Sequence, residues 1–401
     1  MNVLGIIASG VAALFITVAL AKSARRVALR PHVPDEPGGR APRAKALRRT
    51  GGATAVVGVG TATGAALWLG AADDAAGSVG GLLAGAGIVA ALGLVHDLKP
   101  LWTALRLAVQ TAAAILVVCL AGLSPAAGVL AALWIVLVTN AFALLDHADG
   151  LLTAVGLVTA AGLLTCALVG GDPALALLPT TLVAGLAGFL LHTWHPARLR
   201  LGATGAQFTG FALAASGALI QEAAPSGRAA WAALPALATV ALADSALVLI
   251  SRRRAARFPL RDTDDHIAHR LRRVRVTVPG AAVLTALWAA VPVATGALVY
   301  ADLLHPAFLL LPIAGTAAAV FALLRIPAYA PPRTGSSRTT PTRTASSGMA
   351  QSRTAAARRT DASGVGAAIP AAASAPGAKG SAPGQGASAR TAAGHPTVPP
   401  P

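Results

Sequence analysis

The sequence predicts an all-α, polytopic integral membrane protein with about eleven transmembrane helices. Three observations predict it. Hydrophobic residues make up 55% of the chain and charged residues 12%, whereas a soluble chain carries about 25% charge. Mean hydropathy is +0.67. Apolar runs of about 20 residues, the length that crosses a bilayer, recur along the first four fifths of the sequence.

The first run covers about residues 3–21. It has no basic segment ahead of it and is too long for the apolar core of a signal peptide. Arg25 and Arg26 follow it instead, so it is read as a permanent span. Further spans are expected at about 51–71, 77–95, 103–122, 125–145, 150–169, 173–192, 204–221, 229–250, 276–300 and 303–325. They are rich in Ala, Gly, Leu and Val, and small residues allow the close helix approach on which packing in lipid depends. Cys119 and Cys166 both fall within spans, without disulfide or metal spacing, and read as packing residues. From about residue 329 the chain changes to Ala, Pro, Gly, Ser, Thr and Arg. Such a segment buries too little apolar surface to offset its ordering entropy. The expected organisation is therefore a membrane domain, 1–328, and a disordered basic tail, 329–401.

Charge gives the expected orientation. Basic residues gather in three segments: 22–49, the loop with Arg198 and Arg200, and 251–275, which includes Arg252, Arg253, Arg270 and Arg272. With eleven spans these all fall on one side, which the positive-inside rule makes cytoplasmic. The N-terminus is then outside and the C-terminus inside. The net charge of +17 is accounted for by topology and anionic lipid headgroups, so no nucleic-acid partner is expected.

The acids are few and their places are informative. Asp97 lies in GLVHDLK, at the cytoplasmic end of the third span. Asp146 and Asp149 lie in NAFALLDHADGL, between the fifth and sixth, and their spacing of three puts both on one side of a turn. Asp244 is near the end of the ninth span, and Asp262, Asp264 and Asp265 sit beside His266 and His269. All belong to the expected cytoplasmic face. Acids at the mouth of a membrane helix read as a site for ions or polar substrate, or as helix caps. Their convergence with histidines and arginines suits an anionic, phosphorylated substrate: carboxylates hold Mg²⁺, cations neutralise phosphate, and a His or Asp moves a proton.

These segments, in this order, resemble the polyprenyl-phosphate sugar-1-phosphate transferases. That is glycosyltransferase family 4, which includes the phospho-N-acetylmuramoyl-pentapeptide and undecaprenyl-phosphate N-acetylglucosamine-1-phosphate transferases. The family's D-x-P-G-G-R loop is similar to Asp35–Arg40, followed by Gly51 and Gly52. Its G-x-x-D-D-x-K is similar to GLVHDLK, its N-A-x-N-L-x-D-G-x-D-G-L to NAFALLDHADGL, and its P-A-R-x-x-x-G-D-T-G-S to PARLRLGATGA at 196–206. Its D-T…R-R and D-H-x-H-H-R-L are similar to Asp244–Arg253 and to DHIAHRL at 265–271. The likeness runs from about residue 20 to 325.

What the resemblance implies is transfer of sugar-1-phosphate from a UDP-linked amino sugar to polyprenyl phosphate, with release of UMP, at the cytoplasmic face of the plasma membrane. It implies Mg²⁺, with Asp146 and Asp97 as ligands. It also implies Asp97, His96, His266 and His269 as catalytic residues, and Asn140, Asp149, Arg198, Arg252 and Arg253 as substrate-binding residues. Membrane lipids are further partners, and a homo-oligomer is compatible with the sequence. Several residues depart from the pattern. His96 stands for the first Asp of the Asp-Asp pair, Ala203 for a metal-binding Asp, Ala143 for an Asn, Ala268 for a His, and His147 for a turn Gly. A methyl group cannot ligate Mg²⁺. Two expectations therefore stand: a transferase with altered or reduced activity, or a non-catalytic relative that binds a lipid phosphate, a nucleotide sugar or a partner protein.

Overall fold

The computed structural model describes residues 3–28, 51–71, 76–224, 228–255 and 265–326. The loop at 35–40 and the tail at 329–401 lie outside the described residues, as do Asp262 and Asp264. The described chain is a bundle of helices: α1 (Val3–Ala28), α2 (Gly52–Trp68), α3 (Ala76–Leu98), α4 (Thr103–Leu120), α5 (Pro125–Leu144), α6 (Leu151–Val169), α7 (Leu177–Thr193), α8 (Gly202–Glu222), α9 (Arg228–Leu237), α10 (Thr239–Arg254), α11 (Ile267–Arg273), α12 (Val278–Tyr300) and α13 (Leu310–Leu324). Single 3₁₀ turns, Pro173–Ala176 and Pro306–Leu309, lead into α7 and α13.

Among the described residues, nine helical segments are long and apolar enough to cross a membrane, and α9 with α10 makes a tenth if that pair is one broken span. The eleventh expected span is α2, a shorter apolar helix of 17 residues. The protein is an all-α, multi-pass membrane protein. Apolar side chains on the bundle's exterior face outward: Leu130, Leu133 and Leu137 of α5 are all exposed. In water this would be a liability; in lipid it is the ordinary outer surface of a span.

One expected span differs in shape. Residues 229–250 are not a continuous helix but two segments meeting at 64°. Pro235 lies near the end of α9 and has no N–H to continue the backbone ladder. Thr239 bonds back to the Pro235 and Ala236 carbonyls at 2.8 and 3.0 Å, satisfying acceptors that the break exposes. Run length and hydropathy do not register a missing donor, so the sequence reads as one span.

α8 is the central helix and is buried along almost its whole length. It packs against α2, α3, α5 and α6. The approach of α3 to α8 is very close. A Cβ on Gly93 would stand 2.5 Å from the Ala203 carbonyl oxygen and 2.8 Å from the Thr204 Cα. Only a glycine admits this contact, and it brings the end of α3 onto the first turn of α8.

Candidate active site

The first turn of α8 presents backbone N–H groups that have no partner within the helix. Asp97, at the end of α3, takes two of them. Ala203 N–H donates to Asp97 Oδ1 at 2.9 Å, Thr204 N–H to Oδ2 at 2.9 Å, and the Thr204 hydroxyl to Oδ2 at 2.7 Å. Asp146, in the turn between α5 and α6, takes the next: Gly202 N–H donates to its Oδ2 at 2.9 Å. The Arg200 guanidinium donates to the Asp146 carbonyl. Asp149 bonds to the same incoming segment, accepting from His195 Nδ1 at 2.9 Å and from Ala197 N–H at 3.2 Å. Gly150, with φ of 70°, closes the turn that holds Asp146 and Asp149 and starts α6; a side chain would be strained there. Three acids from two segments thus converge on residues 195–204.

Electrostatics divides these groups. Part of the Asp146 surface meets solvent, yet the protein packed around its carboxyl dominates. Burial pushes it up to about 7, against the pull of the Arg200 guanidinium and the Gly202 N–H, and with Asp97 and Asp149 adding to the rise. Arg106 of α4 is close enough to Asp97 to interact with it, and its Nε has no hydrogen-bond partner among the described residues. His96 Nδ1 accepts from Leu101 N–H at 2.9 Å.

The other expected residues form separate groups. Asn140 donates to Gln110 Oε1 at 2.7 Å and to the Val136 carbonyl at 2.8 Å, joining α4 to α5. Arg198 and Arg253 are exposed. Arg252 is buried, with its Nε 3.3 Å from Asp265 Oδ2. His266 Nδ1 lies 2.8 Å from Asp244 Oδ2, and Ile267 N–H donates to Asp244 Oδ1 at 2.8 Å. His147 stacks on His266 with ring centroids 3.9 Å apart, and His269 lies 5.2 Å from His147. Burial holds His147 neutral, bringing its pKa down to about 3 against the opposing pull of Asp244. Arg270 is a structural tie. It donates to the carbonyls of Asp265, Leu323 and Ile326 and to the Ser251 hydroxyl at 2.6–3.0 Å, joining α10, α11 and the end of α13.

The sequence alone missed several of these. His195 and Thr204 carried no signal, because their partners are 46 and 107 residues away. Arg106 reads as one cation within an apolar run. His147 reads as a replaced turn glycine, although its position one residue after Asp146 marks it as near the site.

The family model for glycosyl transferase family 4 matches residues 79–220, from α3 to the end of α8, which include every acid of the site just described. Over these residues the chain is similar to this family. A Streptomyces coelicolor protein named as a glycosyltransferase is 42% identical over 257 residues, which are 64% of this chain and 62% of that protein. A Bacillus subtilis protein named as an undecaprenyl-phosphate N-acetylglucosaminyl 1-phosphate transferase is 26% identical over 223 residues, 52% of this chain and 61% of the relative. A phospho-N-acetylmuramoyl-pentapeptide-transferase of Moorella thermoacetica is 39% identical over 84 residues, 21% of this chain and 26% of the relative. The chain thus spans somewhat over three fifths of the first two relatives it matches.

Members of glycosyl transferase family 4 are generally metal-dependent, and the acids can be tested for the fit. Mg²⁺ requires near-octahedral oxygen ligands, of which protein carboxylates supply one or two. Ala203, at the position the family pattern gives to an acid, offers no side-chain oxygen. Both Asp97 oxygens already accept hydrogen bonds from the start of α8. Asp149 accepts two on one oxygen, and one Asp146 oxygen accepts from Gly202 N–H. Among the described residues this donor set does not fit a resident Mg²⁺ ion.

Proposed function

We propose that this chain catalyses sugar-1-phosphate transfer from a UDP-amino sugar to polyprenyl phosphate, at reduced rate, on the cytoplasmic face of the plasma membrane, as a step in cell-envelope glycan synthesis. The observation that carries the reading is the convergence of Asp97, Asp146 and Asp149 on the start of α8, on the scaffold of the family. In the reaction, an oxygen of the lipid phosphate attacks the phosphorus bonded to the sugar. The diphosphate P–O bond breaks and UMP leaves. Such transfer depends on positioning and charge neutralisation more than on covalent chemistry. Arg106, Arg198 and Arg200 supply positive charge for the phosphates. Asp146 is the acid poised to exchange a proton near neutrality, and Asp97 acts as a positioning residue. His266 and His269 stand beside the Asp146 turn as further proton carriers.

A second reading is favoured by Ala203 and by the full engagement of Asp97: a relative that binds the lipid phosphate, the nucleotide sugar or a partner protein without turnover. The deciding assay measures UMP release from UDP-N-acetylglucosamine and from UDP-N-acetylmuramoyl-pentapeptide, with undecaprenyl phosphate and Mg²⁺. Slow release that needs the lipid acceptor supports the transferase. No release, with lipid phosphate still bound, supports the binding protein.

A further inference from the structure

The turn at 145–150 carries a histidine to which the proposed chemistry gives no part. His147 follows Asp146 directly and stands where the family pattern has a turn glycine. Its ring fills the gap between this turn and the start of α11. It stacks on His266 with centroids 3.9 Å apart and planes 17° from parallel. The two rings are in van der Waals contact, so no substrate group fits between them. The His269 ring lies 5.2 Å from His147.

Both rings of the stack are held. His147 Nδ1 lies 2.9 Å from the Leu144 carbonyl oxygen. A carbonyl only accepts, so Nδ1 carries the hydrogen. His266 is fixed by Asp244, whose two oxygens engage its Nδ1 and the Ile267 N–H, each at 2.8 Å. The remaining nitrogen of His147, Nε2, is shielded from solvent and has no hydrogen-bond partner among the described residues. A buried acceptor left this way is costly. Burial also keeps the ring neutral, so it offers no charge to a phosphate. What His147 contributes at this place is volume that a glycine lacks.

We infer that His147 is a specificity-determining wedge: its ring narrows the space between the Asp146 turn and His266 and restricts the donor to a compact sugar. The inference rests on the placement of the donor in the proposed transfer reaction. There the phosphorus under attack, and so the sugar bonded to it, stands between Asp146 and the proton carriers His266 and His269. The His147 ring takes up part of that space, and a glycine would leave it open. Discrimination of this kind works by a clash with the wrong ligand rather than by a new contact to the right one. UDP-N-acetylglucosamine is then the admitted class of donor. UDP-N-acetylmuramoyl-pentapeptide, with a peptide arm on its sugar, is the excluded one.

The test compares the full chain in detergent with His147→Gly and His147→Phe. The phenylalanine keeps a flat ring against His266 and has no nitrogen to satisfy, so it should behave as the parent does. The first readout is the dissociation constant of each of the two donors, measured without acceptor lipid. The parent and His147→Phe should prefer the compact donor, and His147→Gly should shift the ratio ~10-fold or more towards the bulky one. The second readout needs no donor: carbethoxylation of His266 by diethyl pyrocarbonate, followed by peptide mass spectrometry, should be faster in His147→Gly and unchanged in His147→Phe. A donor ratio that is unchanged in His147→Gly, or shifted equally in His147→Phe, would overturn the inference. So would unchanged reactivity of His266 in His147→Gly. Absence of UMP release with both donors still discriminated would count against the transferase and leave the wedge standing.

Discussion

The carboxylate of Asp97 holds the first turn of α8 through Thr204, accepting both its backbone N–H at 2.9 Å and its hydroxyl at 2.7 Å. An acid on α3 is thereby the N-terminal cap of a helix more than a hundred residues away in the chain. Hydrogen bonds to a charged group contribute ~1.5–3 kcal/mol each. Asp97→Asn should therefore lower the melting temperature in detergent clearly, and Thr204→Val should lower it less. The double variant should fall short of the sum, because the two share an interaction. Full additivity in thermal unfolding would mean that the residues do not act together.

The same junction depends on Gly93. Gly93→Ala places a methyl group against the Ala203 backbone, and overpacking of this kind costs ~1–3 kcal/mol. The expected outcome is a lower melting temperature and weaker binding of lipid phosphate, since the start of α8 moves. Gly87→Ala is the control: it lies on the same helix with open space where its Cβ would be, and it should be neutral.

Much of the fold was legible because a span declares itself by length and polarity. α5, α6, α8 and α12 fall within a few residues of the runs that the sequence gives for them. The break between α9 and α10 was not legible, since one proline hardly changes the mean hydropathy of its run. At the site, Asp97, Asp146 and Asp149 stood out as acids at helix mouths. What they bond to did not, because Thr204, Gly202 and His195 reach them only through packing. The stacking of His147 on His266 likewise arises where two distant segments meet. Arg270 read as one more topological charge, and only packing turns it into a buried tie.

Arg270 gives a stability prediction. Its guanidinium satisfies three backbone carbonyls and one hydroxyl. The ammonium of Arg270→Lys keeps the charge but cannot span all four acceptors. Each carbonyl left unpaired costs ~1–3 kcal/mol. Differential scanning fluorimetry should show a marked loss of stability in the lysine variant, comparable to that of Arg270→Ala. A lysine variant as stable as the parent would reduce the tie to simple charge.

The basic loops predict an orientation that labelling can test. In a background with Cys119 replaced, cysteine at Asp172 should react with an impermeant thiol reagent added outside intact cells. Cysteine at Arg198 or Arg253 should react only after permeabilisation. Outside labelling of position 198 would invert the assignment.

On the proposed function, the helical scaffold from α3 to α8 is intact while the acidic centre at the start of α8 lacks side-chain oxygens at positions 96 and 203. The most direct measurement is Mg²⁺-dependent UMP release by the parent and by the double variant His96→Asp, Ala203→Asp, with undecaprenyl phosphate and UDP-N-acetylglucosamine or UDP-N-acetylmuramoyl-pentapeptide. Loss of one charge-stabilising group typically costs ~10²–10³ in rate. Slow release by the parent is expected, with a gain of ~10²-fold or more in the double variant and no gain for His96→Asn, Ala203→Asn. Equal Mg²⁺-dependent turnover by the parent and the double variant would contradict it.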